Sequence, residues 1–406
     1  MKILMIAESY YPFLDKGGPA VKIRAIALGL AKLGHAVTIV TSDWGFQTSM
    51  VSRPASAEKT RFGWRMQESG VEALFLPSIA SYRNVSLNPR ILDFLRSRIQ
   101  EYEVVHVYGL YDLLGPAATF ACRRNLIPYV VEPMGMFRPI IRNFLLKNVY
   151  HVAIGKRLLR SARSLIATSD QEKNEILAGG VDSQKIVVRR NGVEVPPAVP
   201  DRGAFRKQAG ISSDARVVLY LGRIEPKKSP ELLVAAFARW RKKRPEIDAP
   251  SFLVITGPEH ERGYTDRLNS LASSLGIREE IKFTGPLYDD AKWSAYRDAD
   301  VFVLPSQNEN FGNSAAEAIA CGTPVIVTDR CGIAPYIAQK TGLVVAYDEE
   351  AIAGALADVL DTPELAARFR SACPCVTREL SWDEPVRQMV RIYERALSGG
   401  SCGMSA

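Results

Sequence analysis

The chain has 406 residues, of which 47% are hydrophobic and 24% are charged. This composition excludes a disordered or collagen-like protein, and at roughly 150 residues per domain the length predicts two or three domains. The formal net charge of +8 fits nucleic acid, an anionic membrane surface or a phosphorylated small molecule equally well. The six cysteines and four histidines lack the spacing of a zinc site, which predicts reduced thiols and no metal centre. We find no signal-peptide core and no membrane-spanning apolar run, which predicts a cytoplasmic protein.

Short apolar segments alternate with amphipathic helices from the start of the chain. Residues 2–7 and 36–41 are predicted strands, and a helix over 20–33 that ends at Gly34 lies between them. This order predicts parallel pairing in a doubly wound sheet. Further strands are predicted at residues 73–76, 104–108, 128–131 and 165–168.

Two helix starts are marked by capping residues in this half of the chain. Asn88 followed by Pro89 predicts a cap and a first helical residue. Ser169 and Glu172 form a capping box, which predicts a helix that ends at Gly179.

A turn-rich stretch, with Asn191-Gly192 and three prolines over 196–200, predicts a linker. The alternation restarts beyond it, which predicts an α/β fold of two tandem doubly wound, Rossmann-like domains. The predicted strands of the second half are residues 216–221, 252–256, 281–283, 301–304 and 325–328, and the predicted helices are 230–239, 264–275 and 314–321.

Two glutamates, Glu309 and Glu317, lie eight residues apart after the predicted strand at 301–304. At 1.5 Å per helical residue they can reach two ends of one ligand about 12 Å apart. Carboxylates accept paired hydrogen bonds, as the vicinal hydroxyls of sugars and riboses require. The segment between the two glutamates contains Phe311, Gly312 and Asn313 and leads into a predicted helix. Free backbone N–H groups are expected at this helix start, and they suit anionic groups. For Glu317 a capping box with Ser314 is an equally good explanation.

Two basic residues follow the predicted strand at 216–221. Arg223 and Lys228 precede a helix that Ser229 is predicted to cap. A planar guanidinium and a point charge suit a diphosphate, and the carboxyl end of a strand is where such sheets bind ligands. The alternative is a solvated basic loop.

Two weaker candidates lie in the first half of the chain. Gly17 and Gly18 follow the first strand and could bring backbone N–H groups to a phosphate, although the loop lacks the GxGxxG pattern of dehydrogenases. His106 lies near the end of the strand at 104–108 and is a candidate catalytic residue. The alternative is a partly buried histidine with a structural partner.

Together these motifs resemble the retaining glycosyltransferases of family 4, the group 1 glycosyltransferases, over nearly the whole chain. The resemblance rests on Gly17-Gly18, residues 33–38, 105–107, 191–193, Gly222-Arg223 with Lys228, 283–285, Glu309 with Glu317, 322–325 and 381–383. It implies a GT-B-like fold, in which the two Rossmann-like domains face each other across a cleft. The implied domains are an acceptor-binding domain at 1–195, a nucleotide-sugar-binding domain at 205–375 and a C-terminal helix at 376–398 that returns to the first domain.

The resemblance also implies roles for the candidate residues. Arg223 and Lys228 would bind the donor diphosphate together with Gly17 and Gly18. Glu309 and the loop Phe311-Gly312-Asn313 would hold the transferred sugar, and Glu317 the nucleoside ribose. No metal or other cofactor would be required, because the basic pair and helix dipoles supply the positive charge.

One residue departs from the family pattern. Many relatives have a histidine followed by glycine after the strand at 128–131, and this chain has Met134 there. Either the donor and acceptor groups suffice for the chemistry, or His106 or Glu132 takes the place of the missing histidine.

The basic charge is concentrated between residues 133 and 169, which contain no Asp or Glu. Interleaved apolar residues predict a pair of basic amphipathic helices that could bind an anionic membrane surface, at the inner face of the cell membrane. The alternative is a packed helix pair with a solvated face. The seven basic residues are Arg138, Arg142, Lys147, Lys156, Arg157, Arg160 and Arg163, which leave +1 for the rest of the chain.

The sequence therefore predicts a hexosyltransferase of polysaccharide or glycoconjugate biosynthesis that uses a UDP- or GDP-sugar and a glycan or lipid-linked acceptor, with retention. A sugar-nucleotide epimerase and a catalytically silent protein that binds sugar nucleotides or membranes are the alternatives. Nucleic acid is not expected as a partner, because the basic stretch lacks a recognised DNA- or RNA-binding module.

Overall fold

The computed structural model describes residues 1–13, 18–48, 54–82, 85–134, 156–193, 195, 198–243 and 249–399. The chain divides into two compact units. Unit 1 consists of Met1–Gly192 and Trp382–Ala406, and unit 2 of Val193–Ser381. Each unit contains one large sheet with helices packed on it.

Unit 1 is built on a sheet whose described strands run in the order β11-β10-β9-β8-β1-β2-β5-β4-β3. The strands are β1 (Lys2–Ile6), β2 (Ala36–Ser42), β3 (Glu58–Lys59), β4 (Trp64–Glu68), β5 (Val71–Leu76), β8 (Val104–Tyr108), β9 (Tyr129–Glu132), β10 (Ser164–Ala167) and β11 (Ile186–Val188), with a separate hairpin of β6 (Ala80–Tyr82) and β7 (Val85–Leu87). The helices are α1 (Gly18–Lys32), α2 (Trp44–Thr48), α3 (Arg90–Arg98), α4 (Leu114–Arg124), α5 (Lys156–Ser161), α6 (Asp170–Ala178) and, from the end of the chain, α15 (Asp383–Ser398).

The central strand β1 shows why an apolar run becomes a buried parallel strand. It pairs in parallel with β2 on one side and β8 on the other. Its side chains alternate between two cores: Leu4 and Ile6 pack on one face and Ile3 and Met5 on the other. A strand covered on both faces must be apolar throughout, so the sequence reads as a continuous apolar run.

Helix α15 completes the face of unit 1 that α1 covers. Met389 and Tyr393 on α15 are fully buried in that core. Gly29 on α1 allows the two helices to approach closely, because a Cβ there would lie 2.4 Å from Cγ2 of Val386. The last helix is therefore an integral part of unit 1.

Unit 2 is built on a six-stranded sheet in the order β14-β13-β12-β15-β16-β17, and all its pairings are parallel. The strands are β12 (Arg216–Leu221), β13 (Ser251–Thr256), β14 (Ile281–Gly285), β15 (Val301–Leu304), β16 (Val325–Thr328) and β17 (Gly342–Val345). The helices are α7 (Ala204–Gln208), α8 (Pro230–Lys242), α9 (Tyr264–Ser274), α10 (Asp289–Asp298), α11 (Asn313–Ala320), α12 (Ala334–Ile337), α13 (Glu349–Asp361) and α14 (Pro363–Glu379).

The strand order of unit 2 reverses between β12 and β15. The chain runs outward from β12 to β14, returns to the other side of β12 as β15, and continues to β17. In parallel sheets this reversal separates the loops at the carboxyl ends of the two strands and opens a crevice for a ligand.

The predicted strands and helices are largely confirmed. The strands at 104–108, 216–221, 301–304 and 325–328 agree to the residue, and other predicted strands and helices differ by a few residues at their ends. The elements not predicted from the sequence are strands β3, β4, β6, β7, β11 and β17 and helices α2, α4, α7, α10, α12, α13 and α14.

The predicted helix caps have mixed outcomes. Ser169 caps α6 by accepting a hydrogen bond from the N–H of Glu172. The side chain of Asn88 does not cap α3, since it donates to Leu76 and Ser78 instead. Ser229 precedes α8 without a side-chain cap, because its hydroxyl contacts Pro226 and Tyr347.

Among the described residues, no helix is both long enough and apolar enough to cross a membrane. Most of the predicted membrane-binding segment, at residues 135–155, lies outside the part of the chain that the structure describes.

Candidate active site

The candidate residues of unit 2 come together where its strand order reverses. Arg223 follows the end of β12, and Glu309 lies in the loop that follows the neighbouring strand β15. The two loops are tied to each other by a hydrogen bond from the N–H of Gln307 to the carbonyl of Lys227, at 3.0 Å. Residues that are more than 80 positions apart therefore share one site.

Lys228 and Glu309 form an ion pair in this site. The Nζ of Lys228 donates to Oε2 of Glu309, and both side chains are less than a fifth exposed. Burial alone would raise the pKa of Glu309, but Lys228, Lys227 and Arg223 outweigh it and hold the pKa below its usual value. The site thus contains an ionised carboxylate with cations beside it, the groups needed to hold sugar hydroxyls and phosphate oxygens.

The loop of Glu309 is fixed by backbone hydrogen bonds. The N–H of Glu309 donates to Arg330 at 3.0 Å, and its carbonyl accepts from Gly332 at 2.9 Å. The carbonyl of Phe311 accepts from Ile333 at 2.7 Å, while the Phe311 ring lies in the core. At Phe311 the loop can therefore contact a ligand through its backbone.

Gly312 allows the chain to turn from this loop into α11. Its φ of +108° lies in the left-handed region, and a Cβ would come 3.0 Å from Cγ2 of Ile333. Asn313 is the first residue of α11, whose amino end therefore lies next to the Glu309 loop. The positive end of a helix dipole favours an anionic group at this position.

Arg223 and Lys228 belong to one short loop. A 3₁₀ turn over Pro226–Lys228 follows Glu225, and Ser229 has a left-handed conformation with φ of +50°. The guanidinium of Arg223 is about half exposed and lies 3.1 Å from Glu225. Arg223 is therefore oriented by the protein and also accessible to a ligand.

Glu317 is held by two side chains of α10. Its Oε2 accepts from the hydroxyl of Tyr296 at 2.9 Å, and its Oε1 from Nζ of Lys292 at 3.2 Å. The residue at the N-cap position of α11 is Gly312, which has no side chain to cap with. The capping-box explanation for Ser314 and Glu317 is therefore wrong, and Glu317 is oriented from outside its own helix.

The glycine pair of unit 1 is only partly described. Gly18 is the first residue of α1, whereas Gly17 lies outside the described residues. A role of Gly17 and Gly18 in phosphate binding stays a prediction.

A buried ionic cluster surrounds Glu132 at the end of β9. Its carboxylate accepts from Nζ of Lys22 at 2.5 Å and from Nη2 of Arg189 at 2.8 Å to each oxygen. Burial alone would raise the pKa of Glu132, but Arg189 and Lys22 lower it to about 2. Sequence reasoning missed Lys22 and Arg189. The position of Lys22 indicates that its side chain faces the core, because it lies one turn before the buried Ile26 on the same face of α1.

His106 is fully buried beneath α15, and its Nδ1 lies 2.8 Å from the hydroxyl of Tyr393. Burial lowers the pKa of His106 to about 3, so the ring is neutral at physiological pH. A catalytic residue must touch the substrate, and His106 has no exposed surface. Its burial and its contact with Tyr393 therefore favour the structural alternative over a catalytic role.

Comparison with known families follows the division into two units. The family model described as "Glycosyl transferases group 1" matches residues 201–373, and that described as "Glycosyl transferase 4-like domain" matches residues 17–192. The D-inositol 3-phosphate glycosyltransferase of Streptomyces scabiei is 30% identical over 309 residues, which are 73% of this chain and 68% of the relative. The chain belongs to the group 1 glycosyltransferases. The prediction of a hexosyltransferase of this family is confirmed.

The sequence similarity to relatives of this glycosyltransferase extends over nearly the whole chain. The D-inositol 3-phosphate glycosyltransferase of Actinosynnema mirum is 29% identical over 395 residues, which are 94% of this chain and 93% of the relative.

Solved structures of glycosyltransferases share the fold. Anabaena HepE in complex with UDP-glucose has a TM-score of 0.74 at 17% identity. The superposition covers 97% of this chain and 99% of the HepE chain. Sucrose-phosphate synthase from Thermosynechococcus elongatus has a TM-score of 0.73 at 20% identity. The superposition covers 98% of this chain and 100% of the synthase chain. The predicted α/β class with two Rossmann-like domains of the GT-B type is therefore confirmed.

Proposed function

We propose that this glycosyltransferase transfers a hexosyl group from a nucleotide-diphosphate sugar, UDP- or GDP-linked, to a glycan or lipid-linked acceptor with retention of configuration. The observation that carries the proposal is the ion pair of Lys228 and Glu309 at the strand reversal of unit 2. A carboxylate beside cations supports the proposal, because a carboxylate can accept from sugar hydroxyls while cations bind a diphosphate. The structure of Anabaena HepE in complex with UDP-glucose, which shares this fold, supports this class of donor.

In the proposed reaction the bond between the anomeric carbon and the diphosphate oxygen breaks, and its electron pair leaves with the diphosphate. Negative charge therefore develops on the leaving group, where Arg223 and Lys228 stabilise it together with the amino end of α11. Glu309 accepts hydrogen bonds from the hydroxyls of the transferred sugar and thereby orients the anomeric carbon. We propose that these residues meet the electrostatic demand without a metal or other cofactor.

The proton of the acceptor hydroxyl needs a destination in this reaction. Of the two candidates for replacing the missing histidine, His106 is buried and Glu132 is held between Lys22 and Arg189. We therefore propose that the departing diphosphate oxygen takes the proton while the acceptor oxygen bonds to the anomeric carbon on the same face.

The donor is identified first. Thermal-shift measurements with UDP, GDP, dTDP, ADP and their sugars select the nucleotide, because a ligand at 100 times its Kd stabilises a protein by about 2.7 kcal/mol. Isomerisation of the donor without an acceptor would replace this proposal with an epimerase. Donor binding with neither hydrolysis nor transfer would show a silent binding protein.

The role of Glu309 is tested with Glu309→Gln. Removing one preorganised electrostatic group from an active site costs about 100- to 1,000-fold in rate, so we expect transfer to fall by at least that factor. Glu349→Gln is the control, since Glu349 pairs with Arg239 on the surface of the same unit. Transfer by Glu309→Gln within threefold of the control would refute the assigned role.

We also propose that the basic segment at residues 133–169 brings the enzyme to an anionic membrane near a lipid-linked acceptor in polysaccharide or glycoconjugate assembly. Each basic residue near such a surface contributes up to about 1 kcal/mol, and salt screens the attraction. Sedimentation with anionic phospholipid vesicles at low salt tests this. Equal recovery with neutral and anionic vesicles would contradict it.

A further inference from the structure

The two contacts on Glu317 come from one helix and differ in character. Lys292 and Tyr296 are four residues apart on α10, so they lie on the same face of that helix. Tyr296 is fully buried, whereas the side chain of Lys292 is 18% exposed. One partner of Glu317 is therefore part of the core, and the other lies at the edge of the protein.

The hydroxyl of Tyr296 has a fixed position. Its ring packs against Phe302, with centroids 5.6 Å apart, and against Trp293, at 6.2 Å. The carbonyl of Tyr296 accepts a hydrogen bond of 2.6 Å from the hydroxyl of Thr323. The ring packing therefore sets the direction of the O–H bond to Glu317, while the Thr323 contact anchors the backbone and contributes to stability.

Tyr296 keeps its hydroxyl proton at neutral pH and is therefore a donor. Burial and the charge of Glu317 raise the pKa of Tyr296 well above 10. Lys292 is restrained as well, because its ammonium lies 4.1 Å from the ring centre of Trp293. The carboxylate of Glu317 thus receives a donor on each oxygen, which fixes the plane of the group.

We propose that Tyr296 is a positioning residue that orients the Glu317 carboxylate for the vicinal hydroxyls of the donor's ribose. A diol is recognised by two acceptor oxygens in one plane, and a carboxylate that rotates freely loses entropy when it binds. The side chain of Glu317 is 14% exposed, so it reaches the surface while its orientation is set from the core. The inference rests on the proposed use of a nucleotide sugar.

The test compares ribose with dideoxyribose in two variants. Binding of the nucleoside diphosphate selected by thermal shift, and of its 2′,3′-dideoxy analogue, is measured by calorimetry. In the unmodified enzyme we expect the analogue to bind at least about tenfold more weakly, as expected for losing hydrogen bonds to a charged group. In Tyr296→Phe we expect this ratio to fall below threefold, with the affinity for the analogue itself unchanged.

Thr323→Val is the matched control. It removes a buried hydrogen bond on the backbone of the same tyrosine and leaves the contact with Glu317 in place. We expect this variant to lose stability and to keep the tenfold ratio. If Tyr296 acted only on stability, both variants would behave alike.

Three outcomes would overturn the inference, and they are distinguishable from one another. If the unmodified enzyme binds no nucleoside diphosphate, the proposed function fails and the inference fails with it. If the enzyme binds the nucleotide but Tyr296→Phe keeps the full ratio, only the positioning role is wrong. If the unmodified enzyme binds the nucleotide without any ratio, the contact of Glu317 with the ribose hydroxyls is wrong and the positioning role fails with it.

Discussion

The Glu132 cluster gives a quantitative prediction for the stability of unit 1. Glu132→Gln keeps the size of the side chain but removes the negative charge between Lys22 and Arg189. The side chain of Lys22 is 6% exposed and that of Arg189 is fully buried, so neither cation can recover its hydration without opening the core. The variant therefore leaves two buried positive charges next to each other.

The magnitude follows from burial and, independently, from the pKa of Glu132. Removing one partner of a buried ion pair typically costs about 3–5 kcal/mol. A carboxyl whose pKa is lowered from 4.5 to about 2 contributes about 3 kcal/mol of stability at neutral pH. That contribution is complete above pH 4.5 and is lost as the pH falls toward 2. We therefore expect Glu132→Gln to destabilise unit 1 by about 3 kcal/mol.

Native-state amide hydrogen exchange in β9 and α1 is the appropriate assay, because it reports the opening of unit 1 separately from unit 2. A loss of about 3 kcal/mol corresponds to exchange about 100-fold faster. Glu68→Gln is the control, since the pair of Arg24 and Glu68 is about 30% exposed and contributes at most about 1 kcal/mol. Equal effects of the two substitutions would refute the reasoning from burial.

Three further predictions concern single residues. Burial lowers the pKa of His106 from 6.5 to about 3, so the stability it contributes is complete above pH 6.5 and is lost as the pH falls. Between pH 6.5 and 5 the unmodified protein should lose about 1.5 kcal/mol more unfolding free energy than His106→Gln, and identical slopes would contradict this. Gly312→Ala should destabilise unit 2 by about 1–3 kcal/mol because of its positive φ, whereas Gly354→Ala, which meets no atom within 4 Å, should stabilise helix α13 in the same urea titration. Arg223→Ala should weaken calorimetric binding of a nucleoside diphosphate about tenfold and of the nucleoside much less; equal losses would exclude a diphosphate contact.

The fold could be predicted from the sequence wherever burial makes the pattern unambiguous. Strands β8 and β15 are short apolar runs between turns, since both faces of a parallel sheet are covered. Strands β3 and β4 were missed because they lie at an antiparallel edge, where β3 is polar and exposed and β4 is only partly buried. Helix α13 was missed although its buried Ile352, Leu356 and Val359 follow helical spacing.

The candidate site was predictable to the extent that its residues are close in sequence. Arg223 and Lys228 share one loop, and Glu309 shares another with the start of α11, so local patterns indicate them. The contacts that orient Glu317 and Glu132 join residues between 21 and 110 positions apart. Such pairings depend on how helices pack on the sheet, which a single sequence does not specify.

Unit 1 takes residues from both ends of the chain, with all of unit 2 encoded in between. On the ribosome, every residue of unit 2 is therefore made before α15, which supplies Met389 and Tyr393 to the core of unit 1. Until residue 398 has left the exit tunnel, the surface that α15 will cover, including His106, is exposed to chaperones and proteases. The unit whose sequence is begun first is consequently the last to complete its core, and a chain that stops before α15 can finish only unit 2.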